Sequence, residues 1–413
     1  METPIKSGRM HYAWKILIVC CCINASALGL TNTNGVLFTS ICEDLGILMS
    51  SLTVHTVVHG LCSAFTLIFV DRVYKKYPIK PVLIINLLLY HLSFMSMAFF
   101  NKVWQFCLAS VITGASGAFL LYMAVPLLLN NWFVKKKKLA LSICFVASGL
   151  SGILTNLVLG VVISKLGWRN GYLIRGLMLL LFVIPVALFV KKSPAEMGLK
   201  PYGQDDDTIK HKEQKIMGES GARLSFEERR VKYICCIFLA VTFNLGCAMV
   251  TQLPHYAGSL GMDIMTGSLL TSLAMVGNIG SKALSGPAVE RAGITKTGIV
   301  ITGMISAAFA AIAFGFESRT AISVVALISG FTACTNTLII PNLLDTFVKG
   351  DDYVHMLSRC SMGTMIASSF SALIASALYD ISGNYRPVFL IYGLMEAVNI
   401  AVLLIVFRKK RLA

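Results

Sequence analysis

The sequence predicts an all-α membrane protein, with 12 transmembrane helices in two parallel six-helix repeats. Three observations predict it. The chain of 413 residues is 56% hydrophobic and only 14% charged, with a mean hydropathy of +0.74; soluble domains carry about 25% charge. Apolar runs long enough to cross a bilayer as helices recur along its length. The two halves also carry the same motifs in the same order.

The spans, in order, are 13–38, 50–70, 81–100, 104–130, 139–164, 171–190, 233–256, 264–289, 297–315, 321–346, 359–378 and 388–407. The first begins beside Lys6, Arg9 and Lys15, like a secretory signal. It is too long for one, so a retained span is expected.

A net charge of +16 first suggests nucleic acid. The distribution of charge argues otherwise. With the N-terminus placed inside, 29 of the 36 Lys/Arg fall in inside loops. Only Lys102, Lys165, Arg169, Arg319 and Arg386 fall outside, and Arg175 and Lys282 lie within spans. This is a positive-inside pattern. It predicts a multi-pass protein of the cell membrane with both termini cytoplasmic. Basic runs such as KKKK (135–138) and RKKR (408–411) then contact anionic lipids, and no nucleic-acid partner is expected.

The 12 cysteines lie mostly within spans, as in Cys20-Cys21-Cys22 and Cys235-Cys236, with no C-x-x-C pair. Packing is the expected role. Neither a disulfide framework nor a metal site is predicted, and no cofactor is called for.

Residues 191–232 form one long hydrophilic segment, with DDD (205–207) and KHKEQK (210–215). Ser225-x-x-Glu228 fits a capping box at its end. The segment reads as a cytoplasmic linker between an N-terminal six-helix bundle, 1–190, and a C-terminal one, 233–413. GWRNGYLIRG (167–176) matches NYRPVFLIYG (384–393), and Asp71-Arg72 matches Glu290-Arg291. Pro126 matches Pro341, and Ala147-Ser148 matches Ala367-Ser368. Parallel six-span repeats imply a two-bundle transporter whose site lies between the bundles near the membrane midplane.

On these motifs the chain resembles the major facilitator superfamily. GPAVERAGITK (286–296) is similar to that family's cytoplasmic G-x-x-x-D-R-x-x-x-K/R loop, with Glu for Asp. VDRVYKKY (70–77) is the first-half copy, with Leu67 where the family has Gly. NWFVKKKKLALSICFVASGLSG (131–152), LGWRNGYLI (166–174), SPAEMGLKPYG (193–203) and QLPHYAGSLGM (252–262) resemble the oxalate/formate antiporter and monocarboxylate transporter branch. The resemblance covers nearly the whole chain. It implies that Asp71, Arg72, Glu290 and Arg291 form gating loops that latch the inward-closed state.

Lys282 is the main candidate for substrate binding. It lies eight residues before Glu290, roughly 12 Å in from the helix end and near the middle of a hydrocarbon core about 30 Å thick. A charge there costs a few kcal/mol or more, so it is either rescued by snorkelling or kept for a function. Its helical face also carries Thr271, Met275, Asn278 and Ser285, a narrow polar stripe. In the monocarboxylate branch the matching position is usually an arginine that binds the substrate carboxylate. Oxalate-type antiporters carry a second cation in span eleven. The candidate here, Arg359, aligns with Leu139 at the cytoplasmic mouth and reads as a topology signal. One central cation neutralises one carboxylate, and a second would be left buried and unpaired. A small organic monoanion is therefore favoured.

Further candidate substrate contacts are Tyr122, Asn278, Thr31, Asn34 and Asn336. Polar side chains in such spans also serve as glue between helices. Proton-coupling candidates are His55 and His59, four residues apart on one face, and Glu396 near the centre of span twelve. Asn278 stands where proton-coupled relatives often have an aspartate. Arg175 is expected to snorkel.

Together these features predict a secondary active transporter of a small organic anion. A monocarboxylate of the lactate or pyruvate type is favoured, moved by proton symport or anion exchange. No P-loop, serine elbow or zinc pattern is found, so an enzyme is not expected. The alternatives are an oxalate/formate-type dicarboxylate antiporter, or a drug or metabolite exporter. The exporter reading wants an acidic residue in the cavity and a Gly-Pro motif in span five, where FVASGLSG (145–152) has no proline. Expected partners are the anion, protons and lipid, with a monomer as the working state.

Overall fold

The computed structural model describes residues 11–203, 226–348 and 351–407. Ser225 of the expected capping box, the charged runs of the linker and RKKR (408–411) lie outside the described residues. Within the described residues, regular structure is helical apart from one isolated bridge between Phe133 and Tyr202.

Among the described residues, eleven helices are long and apolar enough to cross a bilayer. The longest, Leu139–Phe189, holds 51 residues, roughly 75 Å of helix and more than twice a bilayer core. It folds at Gly167, whose φ of 81° and ψ of 167° are not helical. A residue with a side chain is strained there, and glycine is not. The long helix is thus two spans, which accounts for the expected twelve. In chain order these are α1 (Ala13–Leu45), α2 (Met49–Lys76), α3 (Ile79–Phe99), α4 (Val103–Trp132), α5 (139–166) and α6 (168–189). The second set comprises α7 (Glu227–Ser259), α8 (Ile264–Ala292), α9 (Ile294–Ala313), α10 (Arg319–Asp345), α11 (His355–Ser382) and α12 (Arg386–Val406).

Local sequence explains several ends. Asp263 caps α8, accepting the Thr266 N–H at 3.1 Å, and Ser318 caps α10, accepting the Ala321 N–H at 3.2 Å. The repeat-matched arginines behave alike. Arg169 donates to Asp44 at 2.6 Å, and Arg386 donates to Glu317 at 3.1 Å.

The repeat also appears in matched distortions. α4 widens into a π turn at Ala118–Ala124, just before Pro126. α10 does so at Thr335–Ile339, just before Pro341. Proline lacks the N–H that an α-helix needs, and a π turn rearranges the bonds around that gap. The first helix of each set is interrupted as well. α1 breaks at Thr33, with φ −108° and ψ 4°, and α7 tightens at Cys247, where the Cys247 N–H bonds the Asn244 carbonyl at 3.2 Å and the Val250 N–H bonds the Cys247 carbonyl at 3.3 Å.

One core cluster draws on Ala13 to Val190. Two others draw on residues from Cys236 to Phe407. The first six helices meet the last six along α5 with α8, α2 with α11, and the outer piece of α1 with that of α7. Glycines set these approaches. A Cβ on Gly35 would lie 2.2 Å from the Thr251 carbonyl oxygen, one on Gly60 1.7 Å from Ser369 Oγ, and one on Gly149 2.5 Å from Ile279 Cγ1. These approaches run from mid-span to the end remote from the start of α1.

Candidate functional site

Lys282 lies on α8 and is partly buried. Its ammonium is directed across the seam, with Nζ 4.6 Å from the centre of the Phe145 ring on α5. Cys247, at the tightened turn of α7, and Cys334, in α10, are near enough to interact with it electrostatically. Four helices drawn from both halves therefore surround one cation. None of the ion pairs Lys75–Asp71, Arg169–Asp44 and Arg386–Glu317 involves Lys282, and no carboxylate among the described residues is paired with it. An aromatic face attracts a cation but does not neutralise it.

Close backbone packing holds α8 in place. A Cβ on Gly277 would lie 1.9 Å from the Leu327 carbonyl oxygen, and one on Gly330 2.0 Å from that of Ala274. Here α8 and α10 cross with no side chain between them. On the stripe around Lys282, Met275 lies against Gly152 of α5, and the Thr271 hydroxyl donates to the Gly267 carbonyl at 3.0 Å. Ser285 is buried, with no hydrogen-bond partner for its hydroxyl. Asn278 is partly buried one turn before Lys282.

The other candidates sit variously. The Thr31 and Tyr90 hydroxyls lie 2.8 Å apart, and the Asn34 Oδ1 accepts from Arg175 at 2.9 Å. The backbones of Tyr122 and Asn336 run through the two π turns, and their side chains lie outside the described residues. His55 and His59 face α4 rather than the seam. His55 Nδ1 bonds the Leu52 carbonyl at 2.6 Å, and its ring meets Phe38 and Phe106. His59 Nδ1 lies 3.0 Å from the Thr113 hydroxyl. Glu396 is fully buried on α12.

An apolar groove of about 400 Å³ opens between α3 and α4, lined by Leu89, Phe100, Trp104 and Leu108. It holds no charged group and lies apart from Lys282.

The sequence profile of the Major Facilitator Superfamily matches residues 19–315 and 234–412. The chain belongs to the major facilitator superfamily. It is therefore a membrane transporter and not an enzyme. A curated relative, the MFS-type transporter pynF of Aspergillus niger, is 22% identical over 288 residues. The match covers 68% of this chain and 62% of that relative. Solved structures share the fold at low identity. A mutant form of the nucleoside transporter NupG superposes with a TM-score of 0.71 at 13% identity, over 96% of this chain and all of that one. The xylose transporter XylE of E. coli gives 0.70 at 13%, over 97% and 98%.

Within this superfamily member the expected gating residues are all exposed. Asp71 pairs with Lys75 of its own helix at 2.6 Å, and Arg72 lies over Phe69 at 5.8 Å. Glu290 and Arg291 close α8.

Arg175 departs from expectation. It does not snorkel: it is 0% exposed on α6. One amino group, Nη1, shares its two N–H donors among the Leu30 carbonyl at 3.1 Å, Thr33 Oγ1 at 3.1 Å and Asn34 Oδ1 at 2.9 Å. The guanidinium also lies over Tyr172 and Phe94. It thus binds the break in α1, where the first helical piece ends and a cation suits the terminal carbonyls. Its distance from the helix end suggested snorkelling. The signal that pointed elsewhere was Thr33-Asn34 in α1, a polar pair that needs a donor.

Proposed function

We propose that this chain is a secondary active transporter of a small organic anion, moved by alternating access between the two halves. A monocarboxylate of the lactate or pyruvate type, carried with a proton, fits the site better than a dicarboxylate. The observation that carries this reading is Lys282: a cation directed across the seam, against Phe145 of the opposite half, without a carboxylate partner among the described residues. A substrate carboxylate supplies the missing charge and meets both halves at once.

The count of cations supports a monoanion. Arg359 is exposed, and Arg175 is engaged with α1. A second substrate carboxylate would be left without a cation, at a cost of several kcal/mol. With the basic loops placed in the cytoplasm, the glycine seam closes the outer side, and the arrangement corresponds to an inward-open state.

The test is uptake of radiolabelled lactate, pyruvate, acetate, formate and oxalate into proteoliposomes, with and without an inward proton gradient. Xylose and uridine complete the panel, because similar folds carry a sugar and nucleosides. The expected result is gradient-stimulated uptake of a monocarboxylate that is lost in Lys282→Ala. Uptake of every acid unchanged in that variant would remove Lys282 from the site and the anion from the reading.

A further inference from the structure

Along the seam between the halves, α5 and α8 meet in a single register. On α8, Ser268, Ser272, Met275, Ile279, Lys282 and Gly286 recur at spacings of three and four, which puts them on one face. Ser268 lies against Gly160, where a Cβ would be 2.8 Å from its Oγ, and the Ser272 hydroxyl donates to the Ile153 carbonyl at 3.4 Å. Met275 lies against Gly152, Ile279 against Gly149 and Lys282 against Phe145. The pairs descend α5 as they ascend α8, so the helices run antiparallel. The next residue on this face of α8 is Gly286, and a Cβ there would meet nothing within 4 Å. Phe145–Lys282 is therefore the last rung of the closed stretch, at the edge of open space.

This rung differs in kind from the others. They bring small or uncharged groups together, whereas this one sets an ammonium over a ring face, with Nζ 4.6 Å from the ring centre. Attraction between a cation and a ring is weak where water competes and several-fold stronger where water is excluded. A carrier that passes between its two open states shuts its site on both sides on the way. In that shut state a bound carboxylate neutralises Lys282. With the site empty the ammonium has lost its water, and such a charge is costly. No carboxylate among the described residues is paired with it, so the Phe145 ring face is the partner that remains. The rung at the end of the seam is displaced least when the outer rungs separate, which lets the contact outlast the movement.

We propose that Phe145 is a positioning residue for the return of the empty carrier: its ring face holds the Lys282 ammonium while the unloaded site is shut from both sides. This rests on the anion-transport reading. Net uptake requires the site to cross back empty, whereas exchange of one anion for another does not. The ring therefore sets the rate of net transport relative to exchange.

The test uses the full-length protein in proteoliposomes, with pyruvate as the probe. Phenylalanines carrying one, two and three ring fluorines are placed at position 145. Fluorine withdraws charge from the ring face, so the ring keeps nearly its size and loses its attraction for a cation. Net pyruvate uptake is expected to fall with each fluorine, and to fall at least as far in Phe145→Leu. Pyruvate–pyruvate exchange should fall far less, so the ratio of net uptake to exchange drops roughly tenfold across the series. Phe145→Tyr keeps a ring face and should keep most of the ratio. A packing role alone would lower both fluxes together and would not follow the fluorines. A ratio that stays constant across the series overturns the proposal, as does a wild type that exchanges pyruvate but takes up none net. If the wild type moves no monocarboxylate at all, the anion reading fails instead, and a substrate-free measurement decides the role of Phe145. A cysteine introduced beside Gly35 is labelled from outside by an impermeant maleimide, under conditions where opening limits the rate. Labelling that slows with each fluorine supports the ring as the partner of Lys282 during the empty crossing, and equal rates across the series overturn it.

Discussion

The Asp380 carboxylate, near the end of α11, accepts the backbone N–H of Ser50 at the start of α2 at 2.9 Å. The second half thus caps a helix of the first. An acidic group at a helix N-terminus satisfies a free donor and meets the positive end of the dipole. His255 and Cys42 lie near enough to interact with the same carboxylate, and His255 in turn bonds Tyr385 at 2.7 Å. Losing a cap of this kind costs about 1 kcal/mol. Asp380→Ala is expected to shift the equilibrium several-fold toward the outward-open state, while Asp380→Asn keeps the acceptor and shifts it less. Labelling of a cysteine introduced beside Gly35, from outside, measures the shift.

Gly35→Ala places a methyl against the Thr251 carbonyl oxygen of the other half. The first half should fold unchanged while the seam fails to shut. Expected are normal expression and melting temperature, with uptake reduced at least roughly tenfold, as befits a clash of a few kcal/mol. Transport at the wild-type rate would show that this seam does not close during the cycle.

Lys282→Arg keeps the charge and adds a planar fork that grips a carboxylate at two points. It should retain uptake and discriminate more sharply between acids, whereas Lys282→Gln should lose roughly a hundredfold in uptake efficiency, about 3 kcal/mol for a charged hydrogen bond. Competition among labelled acids reads both effects.

Arg175→Lys is not conservative. An ammonium at that depth does not stack on Tyr172 and Phe94 or hold three acceptors as the guanidinium does. A drop of several degrees in the melting temperature in detergent is expected for Arg175→Lys, and a larger one for Arg175→Ala, which strands the Leu30, Thr33 and Asn34 acceptors.

Outside the spans, hydrogen bonds from the Thr266 side chain and backbone hold the Asp263 carboxyl below its ordinary value. A depressed folded-state value contributes stability above the ordinary carboxylate range, lost as the pH falls through the folded-state value. The first turn of α8 should therefore loosen in acid. Amide exchange at Thr266, compared with Asp263→Asn, tests this: the variant should lack the acid-induced change.

The spans and the repeat were legible because each rests on local chemistry: helix-length apolar runs, and matched motifs such as Arg169 and Arg386 or Pro126 and Pro341, the π turns before the prolines being seen only in the structure. The fold at Gly167 was legible only as a gap between two spans. Side-chain direction was less accessible. In lipid both the packed and the outward faces of a helix are apolar, so periodicity does not assign them. His55 and His59 share a helical face, but spacing alone could not say that it turns toward α4. Arg175 was misread for the same reason, since its depth is in the sequence and its partners, 141 to 145 residues away, are not. The placement of Lys282 at the seam comes from the packing of α8 on α5, where Gly149 and Gly152 meet Ile279 and Met275, and its depth alone was legible in the sequence.

The glycine seam has a thermal consequence. Freezing a long side chain costs up to about 2 kcal/mol in rotamer freedom, and glycine has no such freedom to lose. At Gly35, Gly60 and Gly149 one half of the molecule offers bare backbone to the other. Shutting the outer door therefore immobilises few rotors on that side, so entropy hardly favours either position. The door is left to be swung by small forces, of the size of a single helix cap such as Asp380 on Ser50.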